Sequence, residues 1–239
     1  MTRFVVFFFV LSSLRLFVIP SIAFAFTFNI SEDHSSVYGN TWQKERAVIL
    51  TDIENEPDDA MSLVRLMVYS NKIDIQALVA TTSTHMRDRV CPKTIQRIVS
   101  AYGKVRDNLL LHEEGFPTME SLLDRIYTGV VAYGMKGVGK GFDSSGSEKI
   151  IELLNSDDER PLWICVFGGV NTLAQALWKI DQTYPKAQAE KLYKKLRVYT
   201  ISDQDDSGPW IRKNFPSVFY IVSPGYNYDL ATWKGIKEL

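Results

Sequence analysis

Five carboxylates crowd into one short segment of this chain, immediately after the apolar run Ala47–Leu50. They are Asp52, Glu54, Glu56, Asp58 and Asp59. Like charges this close raise one another's pKa values unless a cation lies among them, and oxygen ligands at short spacing suit a hard cation such as Ca²⁺ or Mg²⁺. A helix N-terminus also favours acidic residues, but that preference explains only one or two of them. The segment therefore predicts a metal or catalytic site.

The acidic segment lies where a strand passes into a helix. The run Ala47–Leu50 is typical of a buried strand, and Pro57 opens a stretch with apolar residues at helical spacing. Ligands of open α/β sheets bind at the carboxyl ends of strands. An EF-hand is excluded: counting from Asp52, its sixth position would be Pro57 rather than glycine, and its twelfth would be Val64 rather than glutamate.

Strand and helix patterns alternate along residues 46–239, which predicts one α/β domain, a mostly parallel sheet with helices on both faces. The predicted strands are apolar and β-branched, as expected for strands covered on both faces, and span residues 46–51, 74–81, 162–167, 196–201 and 218–222. The predicted helices span residues 58–70, 93–105, 118–132, 147–155, 171–183 and 187–194.

The N-terminus has the pattern of a targeting segment. Arg3 precedes the apolar run Phe4–Leu11, and a second apolar stretch ends in the tripeptide Ala23-Phe24-Ala25. A basic residue, an apolar run and a small-x-small site in this order are typical of a signal peptide. We therefore expect residues 1–25 to be removed and the mature protein to be secreted, with no membrane anchor after cleavage. A retained anchor is the alternative. Residues 26–45 are polar and aperiodic, and are expected to form a loose tail.

Charge and cysteine content narrow the function classes. The formal net charge is −1, so no global field favours binding to a nucleic acid polymer. The two cysteines are Cys91 and Cys165. In an oxidising compartment they could pair, and two buried free thiols are the alternative, because Cys165 lies within a predicted central strand.

Polar turns follow three other predicted strands, and in a parallel sheet such turns share one edge. Gly168–Thr172 follows the strand at 162–167, and its glycines allow close approach of the backbone. Asn171 in this turn either caps the next helix or offers an oxygen to a ligand. The turn after the strand at 74–81 contains His85, a candidate acid or base.

The third polar turn, Ser202–Trp210, follows the strand at 196–201 and carries Asp203 and Asp205. Asp, Ser, Gly and Pro all favour turns, so a plain turn is the alternative to a ligand-binding segment. A glycine-rich segment, residues 134–146, nearly matches a phosphate-binding P-loop, but Gly141 replaces the hydroxyl residue and no strand precedes it. We expect this segment to be a mobile loop over the site.

Together these segments resemble a known family. Thr51–Ala60 is similar to the N-terminal aspartate motif of inosine–uridine nucleoside hydrolases, and Gly168–Ala174 is similar to their Gly-x-x-Thr-Asn-Leu-Ala segment. The chain more closely resembles the nucleoside-hydrolase-like domain called Sde182, described as cellulose-binding, over residues 46–233. Its further marks here are Arg160–Trp163, Leu173–Trp178, and Leu196–Tyr199 running to Gly208-Pro209-Trp210.

The resemblance implies a Ca²⁺ site and a metal-activated water that attacks the anomeric carbon of a sugar. It implies Asp52 as the base and a metal ligand, Asp59 as a bidentate ligand, and Asn171 at a position that contributes an oxygen to the ion. Glu56 or Asp58 would hold sugar hydroxyls. An alternative register of the motif places Glu54 at the position of the base.

Two functions stay open at this point. The first is a secreted hydrolase of N-ribosyl or related glycosidic bonds, with Asp52, Glu54 and His85 as catalytic candidates. The second is a binding module for cellulose-type carbohydrate without catalysis, for which Trp210 and Trp233 are available to stack on sugars. The expected ligands are a small-molecule sugar, a nucleoside or a polysaccharide, and a homo-oligomer is compatible with the sequence.

The family's hydrolases carry a late His and a late metal-binding Asp, whereas this chain has no His after His112. The expectation is therefore a domain truncated at the C-terminus, or one that supplies those groups differently. In the first case a sheet edge is left uncovered.

Overall fold

A computed structural model describes residues 43–223 of the chain. Its centre is a six-stranded sheet in the order β3-β2-β1-β4-β5-β6, in which every neighbouring pair is parallel. The strands are β1 (Glu45–Thr51), β2 (Ile73–Ala80), β3 (Ile126–Thr128), β4 (Leu162–Val166), β5 (Leu196–Thr200) and β6 (Phe219–Val222). The predicted α/β class and parallel sheet are confirmed.

Seven α-helices and one short 3₁₀ helix, Gly134–Gly137, connect the described strands. The helices are α1 (Pro57–Val68), α2 (Pro92–Leu110), α3 (Met119–Leu123), α4 (Ser145–Asn155), α5 (Asn171–Thr183), α6 (Lys186–Lys195) and α7 (Ser207–Asn214). Among residues 43–223, no helix is long and apolar enough to cross a membrane.

The sequence prediction was wrong in two places. The helix predicted over 118–132 ends at Leu123, and Ile126–Thr128 instead pairs with Leu78–Ala80 of β2 as strand β3. A short apolar segment fits either structure by periodicity alone, so the partner strand decides. Helix α7 was not predicted, because Ser207, Gly208 and Pro209 favour a turn.

Two hydrophobic clusters lie on opposite faces of the sheet. One joins alternate residues of β1, β4 and β5, such as Val48, Ile164 and Val198, to helices α4, α5, α6 and α7. The other joins Ala47 and Ile49 of β1 to helices α1, α2 and α3. Helices therefore cover both faces, which explains why the inner strands are apolar at almost every position.

The order of the strands places a crevice between β1 and β4. From β1 the chain passes to β2 and β3 on one side, and then returns to β4, β5 and β6 on the other. Where the strand order reverses, the loops after the two central strands diverge, and ligands of open α/β sheets bind there. The acidic segment follows β1 and the Gly168–Thr172 turn follows β4, so both lie at this point.

Candidate functional site

Two carboxylates, Asp52 and Asp59, lie together at the carboxyl end of β1. Both are buried, with 4% and 8% of their surfaces exposed. Thr51 Oγ1, on the last residue of the strand, donates a hydrogen bond to Asp59 Oδ2. Burial, followed by the charge of Asp52, raises the pKa of Asp59 to about 8. The strand end thus holds two acids that repel each other out of water.

The turn after β4 packs directly against this pair. A Cβ atom added to Gly168 would lie 2.5 Å from Asp52 Oδ1, and one added to Gly169 would lie 2.5 Å from the carbonyl oxygen of Thr82. The Gly169 amide donates to that same carbonyl at 2.9 Å. Side chains larger than hydrogen do not fit at either position, so the two glycines let the loops after β1, β2 and β4 meet.

Asp205, after β5, lies beneath the same turn and is 5% exposed. Its Oδ2 accepts hydrogen bonds from the amides of Val170 and Asn171 at 2.9 and 3.1 Å, and its Oδ1 accepts one from the Ser207 amide at 2.9 Å. Burial raises the pKa of Asp205, while the bonds from these amides oppose that rise. Both of its oxygens are thus used by the backbone.

Asn171 is fully buried, and one of its two polar atoms has a partner. Its Nδ2 donates to the carbonyl of Ala132, while its Oδ1 has no hydrogen-bond partner among the described residues. A buried amide oxygen without a partner costs about 1–3 kcal/mol. It is therefore a candidate to accept a bond from a ligand or to bind a cation.

The glycine-rich segment is fastened to helix α5 by buried polar side chains. Thr172 Oγ1 accepts a bond from the Val130 amide at 3.3 Å, and Gln175 exchanges two bonds with the backbone of Gly139, at 2.7 and 3.0 Å. Met135 also donates its amide to Asp206 Oδ1 at 2.8 Å. Several hydrogen bonds thus hold this segment against helix α5 and the loop after β5. The anchoring roles of Thr172 and Gln175 were missed, because polar residues on a helix give no sequence sign of being buried.

Glu54 is turned away from the carboxylate pair. Its side chain is 40% exposed and accepts bonds from Thr94 Oγ1 and from Arg97 at 3.3 Å, both on helix α2. The bond from Thr94 is the largest of the effects that lower the pKa of Glu54. Glu54 also has a φ of 85°, in the left-handed region that non-glycine residues rarely adopt. Such strain concentrates at functional sites.

Three other predicted residues, Glu56, Asp58 and His85, are more exposed than the carboxylate pair Asp52–Asp59. Glu56 caps helix α1 through its backbone only, and Asp58 lies half-buried in the first helical turn, where its charge adds to the rise in the pKa of Asp59. His85 is exposed, and its amide donates to Ser83 Oγ at 3.0 Å within a tight turn. All three follow β1 or β2 at the edge of the sheet that carries the pair.

Asp203 and Trp210 have partners elsewhere. Asp203 forms two hydrogen bonds with Arg212, at 2.8 and 2.7 Å, on the outer side of the loop after β5. Trp210 packs edge-to-face on Phe215, with 5.3 Å between ring centroids. Trp163 is half-buried and contacts the exposed Phe219 edge-to-face. Trp233 lies outside the described residues.

Two further expectations concern metal ligands and cysteines. Within residues 43–223, no group of three or more His, Cys, Asp or Glu side chains is arranged to hold a metal ion. The carboxylate pair Asp52–Asp59 would therefore need oxygens of other types to complete a site. Cys91 and Cys165 are both free thiols in the structure.

Fold and site together define the chain as a parallel α/β domain with an acidic site at the point where its strand order reverses. The profile of the family "Cellulose-binding Sde182, nucleoside hydrolase-like domain" matches residues 46–239. The chain belongs to this family, which confirms the resemblance seen in the sequence.

One solved structure is similar over most of the chain. A nucleoside hydrolase-related hypothetical protein from Saccharophagus degradans, described as associated with carbohydrate metabolism, is 41% identical, with a TM-score of 0.74. The match covers 75% of this chain and 44% of that protein, so the chain spans less than half the length of this relative. An inosine-guanosine nucleoside hydrolase matches at 15% identity and a TM-score of 0.36, over 67% of this chain and 49% of the hydrolase. A comparison with curated proteins gave no match.

Proposed function

We propose that this domain is a Ca²⁺-dependent hydrolase of glycosidic bonds, of N-ribosyl or related type, and that it acts outside the cell. The observation that carries the proposal is the buried contact of Asp52 with Asp59. Two acids out of water in one place cost free energy, which is tolerated where strain has a use. A cation between them would offset that cost.

The oxygens at the site fit a hard cation. Asp52, Asp59 and the unpartnered Oδ1 of Asn171 are all oxygen donors, which Ca²⁺ prefers, and the ion also takes backbone oxygens and water. When bound, Ca²⁺ would lower the pKa of a water and so supply a nucleophile at neutral pH.

The chain's own residues would divide the remaining work. Asp52 is fixed by the end of β1 and by Gly168, and would accept the proton of the attacking water. Thr51 holds Asp59 by its hydroxyl and so orients that carboxylate. Glu56 and Asp58, more exposed on the rim, would accept hydrogen bonds from sugar hydroxyls. The side chain of Glu54 is bonded to Thr94 of helix α2, which favours the register of the motif in which Asp52 is the base.

The first test is the effect of Ca²⁺ on unfolding. A ligand at about 100 times its Kd stabilises the folded state by about 2.7 kcal/mol. We therefore expect millimolar Ca²⁺ to raise the melting temperature after EDTA treatment, and Asp59→Ala to remove this response. The matched control is Asp107→Asn, whose side chain is 97% exposed on helix α2, and which should respond like the wild type. A wild-type melt that is the same in EDTA and in Ca²⁺ would exclude the metal.

A carbohydrate-binding module without catalysis is the second candidate. The family's description as cellulose-binding supports it, as do the exposed aromatic side chains of Tyr199 and Phe219 on neighbouring strands β5 and β6. Retention on cellulose, together with no turnover of a nucleoside panel in Ca²⁺, would favour this candidate. Turnover that Asp52→Asn abolishes would favour the hydrolase. The predicted signal peptide lies outside the described residues, and secretion remains part of the proposal.

A further inference from the structure

We infer that Asp205 is a positioning residue that sets the place of the β4–α5 turn against Asp52 and does not itself touch ligand. This rests on the proposed function for its effect on Ca²⁺ binding, but its structural part stands without it. The sequence suggested a substrate-binding role for Asp205, and the geometry favours the indirect one.

Both oxygens of Asp205 already have backbone partners. Three backbone amides, those of Val170, Asn171 and Ser207, donate to its carboxylate at 2.9–3.1 Å, and the residue is 5% exposed. A carboxylate that accepts three amides from two separate loops ties those loops together. With 5% of its surface exposed and both oxygens bonded to the backbone, the carboxylate presents little surface to a ligand.

Helix α5 has no side-chain cap at its own N-cap residue. Val170 occupies the N-cap position, and no side chain there bonds to the first helical amides. These amides need acceptors, and negative charge is favourable at this end of a helix. Asp205 supplies both from a loop 34 residues further along the chain. The start of the helix is therefore placed by β5 and its loop.

The β4–α5 turn packs closely against Asp205 on one side and Asp52 on the other. A Cβ atom on Gly169 would lie 2.6 Å from Asp205 Oδ2, and one on Gly168 would lie 2.5 Å from Asp52 Oδ1. Gln204, beside Asp205, also donates to the Phe167 carbonyl at 2.7 Å, just before the turn. A continuous set of contacts thus leads from the β5 loop through the turn to the carboxylate pair. Partners behind metal ligands typically change affinity about 10–100-fold when they are mutated.

The test compares Asp205→Asn with Asp181→Asn, which removes an exposed carboxylate of helix α5. Asparagine keeps the volume but presents an NH₂ group to at least one backbone donor, so the turn should shift. In ¹⁵N-labelled protein we expect hydrogen exchange at Val170 and Asn171 to accelerate and the amide resonance of Asp52 to move. Calorimetry with Ca²⁺ alone should show binding weakened about 10–100-fold. Asp181→Asn should match the wild type in all three measurements.

The outcomes separate the two claims. Faster exchange at 170 and 171 with an unmoved Asp52 resonance and unchanged Ca²⁺ affinity would make Asp205 a helix cap only, and would overturn the inference. If wild-type protein binds no Ca²⁺, the proposed metal fails, and the Asp52 resonance alone decides the positioning role. If Asp205→Asn does not fold, Asp205→Glu takes its place, because it keeps the charge and both acceptor oxygens but lengthens the side chain, and it should move the same resonance.

Discussion

Buried charges are arranged differently at the two ends of the parallel strands, here called the amino edge and the carboxyl edge. At the amino edge, Arg46 is 2% exposed, and it donates to the carbonyls of Leu153, Asp158 and Arg160 at 2.8, 3.1 and 3.3 Å. Its Nε lies 3.5 Å from a carboxylate oxygen of Asp158. At the carboxyl edge, buried Asp52 and Asp59 have each other as neighbours. The amino edge pairs its buried Arg46 with an acid, whereas the carboxyl edge places two buried acids side by side.

The pairing at the amino edge continues from Arg46 and Asp158 to Asp74 of β2. Arg160 bonds to both Asp158 and Asp74, at 2.6 and 2.8 Å, and Arg125 lies 3.8 Å from Asp74. The hydrogen bond from Arg160 lowers the pKa of Asp158 to about 2. Opposite charges alternate here, so each stabilises its neighbour's charged form. The charges of this edge are thus paired, whereas at the carboxyl edge burial and the charge of Asp52 raise the pKa of Asp59.

The largest expected effect belongs to the amino edge. Arg46→Met keeps most of the side-chain volume but leaves the carbonyls of Leu153, Asp158 and Arg160 without this donor, while the Asp158 carboxylate keeps its bond to Arg160. A buried acceptor without its donor costs about 1–3 kcal/mol, and because the Asp158 and Arg160 carbonyls are only partly buried, the whole change should cost about 3 kcal/mol. Urea unfolding would measure it. The control, Arg65→Met on the exposed side of helix α1, should change stability by less than about 0.5 kcal/mol. A loss equal to the control's would show that the amino edge adds nothing to stability.

The amino edge was also the less predictable one. That acids, glycines and polar turns would meet at one edge follows from the parallel order of strands, so Asp52, Asn171 and Asp205 could be grouped from the sequence. No local signal marked Arg46 as buried, because its partners lie more than 100 residues away. Contacts across the fold decide such positions, and a single sequence does not record them.

The same limit applies inside the candidate site. The loop after β5 contains Asp203, Asp205 and Asp206, three acids with equal turn preference. Only packing shows that Asp205 faces inward while Asp203 pairs with Arg212 outside. Likewise, the orientation of Glu54 depends on Thr94, which is 40 residues away. The sequence thus groups the candidate residues at one edge of the sheet, and the tertiary contacts show which of their side chains face inward.

The second prediction tests the like-charged edge through pH. The pKa of Asp59 is raised from 3.8 to about 8 in the folded state, so between these values the folded protein holds a proton that the unfolded chain releases. Stability should therefore fall as pH rises from about 4 to 8 in EDTA. Asp59→Asn should flatten this slope and stabilise the protein at pH 8 by at least about 1.4 kcal/mol, the equivalent of one pKa unit.

Asp158→Asn gives the contrast. The pKa of Asp158 is lowered, so its contribution is present above about pH 4 and is lost as pH falls towards 2. Its variant should be less stable than the wild type at pH 7, opposite in sign to Asp59→Asn. Unfolding by urea at several pH values gives both slopes. Destabilisation by Asp59→Asn at pH 8 would contradict the view that the carboxyl edge repels itself.

The smallest expected effect, that of Glu54→Gln, tests whether Glu54 belongs with the carboxylates that repel one another. Glu54 belongs to the acidic segment by sequence, but its bonds to Thr94 and Arg97 resemble the paired charges of the amino edge. Its lowered pKa means that it stabilises the fold above about pH 4.5 and loses this contribution on acidification. Because Arg97 is 74% exposed, the pair is screened by solvent. Glu54→Gln should therefore cost only about 0.5 kcal/mol at pH 7, and less as the pH falls.

The matched control for Glu54→Gln is Glu56→Gln, two residues away and equally exposed to solvent. It removes the same charge from the same segment without breaking a bond to helix α2. If repulsion within the segment governed both residues, the two variants would stabilise the protein alike at pH 7. Destabilisation by Glu54→Gln alone would place Glu54 with the paired charges, and would leave Asp52, Asp58 and Asp59 as the carboxylates whose repulsion a cation must relieve.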